Sequence, residues 1–183
     1  MNAGIVSTRY AQALLEYAKE CKCENEIYEN MFQLIATITN VKEFLIVLQN
    51  PQLSRDEKVK LLCDAVNNNK DCFHKFASLV MKQGREELLI YIAHAYISLY
   101  RKEKNILAVK LTTAISLSPD LEDKIVSSIE KSGYNDVELE NIVDSSIIGG
   151  FLLEADSKRL DASISGALER VKKQIVDNNR RLV

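Results

Sequence analysis

Few of the 183 residues carry the chemistry that a catalytic or metal site needs. The candidates are His74 and His94, four cysteines (Cys21, Cys23, Cys63 and Cys72), the carboxylate pair Glu138 and Glu140, Asp161, and the adjacent glycines Gly149-Gly150. A general base needs a partner nucleophile within hydrogen-bond reach. Both histidines fall in apolar helical stretches with no serine or cysteine placed to be activated. Cys21 and Cys23 stand one residue closer than the C-x-x-C spacing of a zinc knuckle, and no second pair follows. Cys72 and His74 point to different sides of any helix that carries them. The four cysteines therefore read as free thiols. Glu138 and Glu140 share one face of an alternating segment, which is the wet face of a half-buried strand. A phosphate cradle needs lysine and a hydroxyl residue opening a helix after the glycines, but Phe151 and Leu152 follow instead. Gly149-Gly150 reads as a place where a strand bends or another backbone comes close. Asp161 is placed to accept the exposed amides of a following helix as its N-cap. No reaction, cofactor or metal follows from these residues.

The elements that would position them fall into two halves of different period. From the start to about residue 104 the apolar residues recur at three- and four-residue steps. One helix runs through Ile5, Tyr10, Leu14 and Tyr17 or Ala18 to Cys21. A second uses Ile27, Met31, Leu34, Ile35 and Ile38. A short third covers Val41 to Leu48 and is ended by Asn50-Pro51. Ser54-Arg55-Asp56-Glu57 is a capping box that opens a fourth helix, which stops at Asn67-Asn68-Asn69. A fifth runs from Asp71 through Phe73, Phe76, Leu79 and Val80 to Gly84, a favourable residue just past a helix end. A sixth spans Glu86 to about Glu103. The fold class expected is mainly α: a six-helix bundle over residues 1–104, then a small α+β module over 105–183.

In that second part Ile106 to Thr113 and Val137 to Val143 read as strands. Pro119 suits the first turn of a helix that ends at Gly133. The stretch around Gly149-Gly150 adds a further strand and a hairpin, and Ser163 to about Asn178 forms the last helix.

Composition narrows the partners. A chain with 46% hydrophobic and 27% charged residues has the makings of a packed core. A formal net charge of -2 gives no basic field for nucleic acid. The start carries no basic segment ahead of an apolar one, and no apolar run approaches the ~20 residues of a membrane span. The chain is expected to lie inside the cell and not to cross a membrane by itself. What it does offer is a helix face. Ala11, Leu14 and Ala18 form one stripe of the first helix, with Tyr10, Ala13 and Tyr17 on the adjoining one. Such a surface either packs inside the bundle or accepts a partner's amphipathic helix.

Motifs in order along the whole chain resemble the delta subunit family of bacterial F-type ATP synthase, which includes the mitochondrial oligomycin-sensitivity-conferring protein. Arg9-Tyr10-Ala11-Gln12-Ala13-Leu14 is similar to the family's R-Y-A-x-A-L opening. Gln83-Gly84-Arg85 is similar to its G-R after the fifth helix, and Val109 to Ala114 with Leu117-Ser118 to its V-x-x-A…L-S. The most specific match is Val143-Asp144-x-x-Ile147-Ile148-Gly149-Gly150-Phe151 with Asp161, Ser163 and Leu168, which resembles V-D-x-S-L-I-G-G-F…D-x-S…L. Glu86 stands where an apolar residue is common, and Ala162 where glycine is frequent.

The resemblance implies a non-catalytic connector that joins the catalytic head to the peripheral stalk, so that the head resists rotor torque during proton-driven ATP synthesis. It implies two partners, the N-terminal helix of an alpha subunit and the stalk's b subunit, with no nucleic acid and membrane contact only through the complex. It places the chain peripherally at the cytoplasmic face of the bacterial inner membrane. The alpha helix would enter a groove between helices one and five, with Tyr10, Ala13, Leu14, Ala18, Leu79, Val80 and Gln83 as contacts. Gly84, Arg85, Gly149, Gly150, Phe151, Asp161 and Ser163 would be structural signature positions. The competing reading is a free-standing helical adaptor that binds amphipathic helices.

Overall fold

A computed structural model describes residues 3–41, 43–66, 71–130, 133–155 and 158–180. The chain divides into two compact units, Met1–Glu103 and Lys104–Val183.

The described part of the first unit is helical. In order come α1 (Ala3–Glu20), α2 (Glu24–Asn40), α3 (Glu43–Gln49), α4 (Arg55–Ala65), α5 (Asp71–Lys82) and α6 (Leu89–Lys104). Its core is drawn from one stripe of each helix. Leu14 and Leu15 of α1, Met31 and Leu34 of α2, Leu48 of α3, Leu62 of α4, Phe73 and Val80 of α5, and Ile92 and Tyr96 of α6 are all buried. Each large side chain contributes ~1.5–3 kcal/mol through burial, before the entropy of ordering is charged against it. Tyr96 is wholly buried, and its hydroxyl donates to the Glu24 carbonyl at 3.2 Å. That burial pushes its phenol pKa up.

Local chemistry sets the helix ends. The Ser54 hydroxyl accepts from the Glu57 amide at 3.3 Å, while the Glu57 carboxylate accepts from the Ser54 amide at 2.8 Å, completing the capping box. The end expected for α4 at Asn67-Asn68-Asn69 lies outside the described residues. Helix α5 closes with Gly84 at φ 61°, and the Arg85 amide donates back to the Val80 carbonyl at 3.2 Å, a Schellman end. The sixth helix differs from expectation at its start. Glu86–Leu88 form a 3₁₀ turn and α6 begins at Leu89. Glu86 is held there by Lys58 of α4, Nζ to Oε1 3.1 Å, with both side chains largely buried. The acidic residue that departs from the family pattern has thus acquired a cation.

The second unit is a four-stranded sheet with two helices. Strand β1 (Ile106–Thr113) is followed by α7 (Pro119–Glu130), β2 (Asp136–Val143), β3 (Phe151–Ala155), β4 (Lys158–Asp161) and α8 (Ile164–Arg180). The strand order is β2-β1-β3-β4. Strand β1 pairs in parallel with β2, Val109 opposite Leu139, and antiparallel with β3, Leu111 opposite Leu153. Helix α7 is the crossover that a parallel pair requires. Leu107, Val109 and Val137 form the core under it, with Val126 and Ile129 of α7 packed against them. Asn141 on β2 donates to the Glu122 carboxylate of α7 at 2.9 Å.

Two sequence expectations are corrected in this unit. Gly149-Gly150 do not lie within a strand; they form a bend between the 3₁₀ turn Ser145–Ile147 and β3. The reason for glycine is nonetheless steric. Gly150 has φ 76°, and a Cβ there would stand 2.2 Å from the Ala162 carbonyl oxygen. The second correction concerns the cap of α8. Asp161 is not the N-cap, because it is still paired in β4 opposite Leu152. Ser163 is the cap: its hydroxyl accepts from the Gly166 amide at 3.0 Å. Asp161 instead accepts from the Ser163 amide at 3.0 Å and from its hydroxyl, and so orients the cap. These bonds, with Ser163 first, hold its carboxyl pKa below the usual value.

Candidate partner-binding groove

Helices α1 and α5 leave an open groove between them. Tyr10, Ala13, Leu14 and Tyr17 of α1 line it with Lys75, Phe76 and Leu79 of α5, around a cavity of about 220 Å³. The α1 residues recur at steps of three and four, and so do the α5 residues, because each helix presents one stripe to the gap. Leu79 is 47% exposed, so the groove opens to solvent over apolar surface.

Each end of the groove is marked by a cation held on a tyrosine. At one end the Arg85 guanidinium lies over the Tyr10 ring, 5.3 Å from its centroid, and donates to the Tyr10 hydroxyl at 3.2 Å. At the other the Lys75 ammonium lies 5.6 Å from the Tyr17 centroid and donates to its hydroxyl at 3.0 Å. The hydrogen bond to Tyr17 is the main reason the Lys75 pKa is raised. Tyr10 and Tyr17 are two turns apart on α1, so the two pairs fix the rims while the floor between them stays apolar.

Of the expected contacts, Tyr10, Ala13, Leu14 and Leu79 come together in this groove. Ala18 and Val80, 1% and 0% exposed, point into the core of the unit. Gln83 is exposed beyond the end of α5 and does not line the groove. Lys75 and Phe76 were not singled out in the sequence, although they stand four and three residues before Leu79 and thus on its face. Tyr17 was visible on the α1 stripe. Gly84 and Arg85 act on the groove from its rim, through the turn that brings Arg85 back over Tyr10.

The groove holds no catalytic set. His74 and His94 are both exposed on their helices. Among the described residues no group of three or more His, Cys, Asp or Glu side chains is arranged to hold a metal ion. Nor is any single helix among them long and apolar enough to cross a membrane.

Residues 6–175 match the family model for the ATP synthase delta (OSCP) subunit. The chain belongs to the ATP synthase delta (OSCP) family. It is similar to the ATP synthase subunit delta of Bacteroides fragilis, 40% identical with all of both chains covered. The corresponding subunit of Flavobacterium psychrophilum is 31% identical, over 96% of this chain and 99% of that one. The fold is also similar to a chain in the mitochondrial ATP synthase hexamer of Toxoplasma gondii, with a TM-score of 0.70 and 23% identity over 93% of this chain and 97% of that one. As a delta-family subunit the chain is part of an ATP synthase complex.

Proposed function

We propose that the chain is the non-catalytic connector of its ATP synthase, joining the alpha subunit's N-terminal helix to the b subunit of the peripheral stalk. The observation that carries this reading is the groove between α1 and α5, apolar along its floor and fixed at both rims by a tyrosine–cation pair. An amphipathic helix laid there would cover Leu79 and Ala13 and keep its polar face in water. The contacts we assign are Tyr10, Ala13, Leu14, Tyr17, Phe76 and Leu79, with Lys75 at the rim; Ala18 and Val80 support the floor from beneath. On this reading residues 1–104, taken as a six-helix bundle, hold the head, and residues 105–183 hold the stalk. The second assignment is supported by α8, where Ile164, Leu168, Val171 and Ile175 are all exposed at helical spacing. The complex would keep the chain peripheral, at the cytoplasmic face of the inner membrane. There it lets the head resist torque during proton-driven synthesis.

Calorimetric titration of the full chain with a peptide of the same organism's alpha-subunit N-terminus tests the groove. Saturable one-to-one binding is expected. A folded variant carrying Tyr10→Asp and Ala13→Asp should lose affinity by about 100-fold or more, since it places charge on the apolar lining and breaks the tyrosine–cation pair at one rim. Unchanged affinity in that variant would move the alpha contact elsewhere.

A further inference from the structure

Three of the four cysteines, scattered in sequence, meet in space. Helix α1 ends in a Schellman turn: the Lys22 amide donates to the Lys19 carbonyl at 3.1 Å, the Cys23 amide to the Ala18 carbonyl at 2.9 Å, and Lys22 sits at φ 55°. This reversal turns Cys21 and Cys23 toward the start of α5. There Cys72, three residues before Lys75, lies on the Lys75 face of α5 as Cys21, four residues after Tyr17, lies on the Tyr17 face of α1, and the Cys23 and Cys21 side chains both raise the Cys72 thiol pKa. One turn further along each helix the approach is fixed independently by the Lys75–Tyr17 bond at 3.0 Å. Cys23 occupies the N-cap position of α2 and makes no side-chain cap bond. Cys21 is exposed, and Cys23 and Cys72 are half-buried, so the cluster opens to solvent on one side. Cys63, by contrast, is buried.

We propose that this cluster is a thiol oxidation site, in which a hydroperoxide drives a disulfide between Cys72 and one of the two turn cysteines, tying the end of α1 to the start of α5. The exposed Cys21 is the sulfur a peroxide meets first. Its thiolate attacks one peroxide oxygen, the O–O bond breaks, and Cys21 becomes a sulfenic acid as hydroxide leaves and is protonated to water. Cys72 then attacks that sulfur and a second water departs; where Cys23 attacks first, the water leaves in that step and Cys72 then displaces one of the two bonded sulfurs as a thiolate by exchange. In sum two S–H bonds are lost, one S–S bond forms, and one hydrogen peroxide is reduced to two waters. Burial, then the Cys23 and Cys21 side chains, push the Cys72 thiol up to about 12, so Cys72 is not the sulfur that a peroxide oxidises first. The linkage does not depend on the connector reading and goes beyond it.

The test uses the full chain treated with hydrogen peroxide, blocked with an alkylating reagent, digested with trypsin and mapped without reduction. Cleavage after Lys22 separates the two turn cysteines, giving fragments 20–22, 23–42 and 71–75. Expected are fragment 71–75 joined to 20–22 or 23–42, and a melting temperature raised by several degrees, because the bond closes a loop of about 50 residues. Both should be absent from a Cys72→Ser variant and retained in Cys63→Ser. Three free thiols surviving in the cluster, a link only between 20–22 and 23–42, or a bond only between two chains would each overturn the proposal.

Discussion

The two units expose apolar surface in opposite ways. In the first, the exposed face is concave, and its floor rests on the buried residues Leu14 and Phe76 of the same helices that shape it. In the second, the exposed face is the convex stripe of α8, where Leu168 is 58% exposed. The described hydrogen bonds of α8 to the rest of its unit cluster at the N-terminal end: the Ile164 amide donates to the Gly149 carbonyl at 3.0 Å, beside the Ser163–Asp161 cap. A groove built this way keeps its shape on its own core, whereas the stripe of α8 would gain most of its burial only if covered. One surface is set by a core, the other by a single corner of backbone.

The sharpest way to break this contrast is at that corner. Gly150→Val adds a Cβ into the Ala162 carbonyl and forces a β-branched residue to φ 76°. The clash and the backbone strain together should cost about 3 kcal/mol or more. We expect the second unit to lose protection in amide hydrogen exchange while α1 to α6 keep theirs. Equal loss in both units would show that the corner supports the whole chain and not α8 alone.

The corner also shows where sequence reasoning succeeds and stops. The helices of the first half were legible because their apolar residues keep one period, and Pro51, Ser54 and Gly84 punctuate them by local chemistry. Strand β1 was legible from its β-branched run. The parallel pairing of β1 with β2 was not, since no local signal reports which strand a later one will join. Nor could periodicity decide which stripe of α1 faces inward, because Ala11, Leu14 and Ala18 and the neighbouring Tyr10, Ala13 and Tyr17 are both apolar. Ala18 was placed among the contacts by the family resemblance, and the structure buries it. Lys75 went unnoticed for a different reason: a charge in a helix reads as solvated surface, and its seat on Tyr17 depends on α1 lying alongside. Asp161 and Ser163 are both good caps, and only the extension of β4 through Asp161 settles the choice.

A smaller effect compares the two serine caps. Ser163→Ala removes the acceptor of the Gly166 amide and the hydroxyl donor to Asp161 from a site where the serine is buried. Ser54→Ala removes a cap at the exposed start of α4, where water can replace it. We expect a loss of about 1.5–2 kcal/mol for the first and about 0.5–1 kcal/mol for the second, by denaturant unfolding of each variant. The reverse order would mean that the α8 corner is more open to water than its burial implies.

The smallest effect is one of pH. Hydrogen bonds from Ser163 hold the Asp161 carboxyl below its usual value, and those from Ser54 do the same for Glu57. A carboxyl whose folded pKa is depressed contributes stability that is fully present above its unfolded pKa and lost as pH falls through the folded one. Both caps should therefore be intact at neutral pH and weaken only below the ordinary carboxylate range of about 4. Following the Ser163 and Ser54 amides by NMR from pH 6 downward should give midpoints below that range at each site, and Asp161→Asn should flatten the Ser163 curve alone. Because each carboxylate is solvent-facing, salt will screen its long-range part, yet the direct bonds should leave the midpoints depressed. A Ser163 midpoint at the ordinary value would mean that Asp161 does not hold the cap in solution, and the contrast between the corner and the core would rest on Gly150 alone.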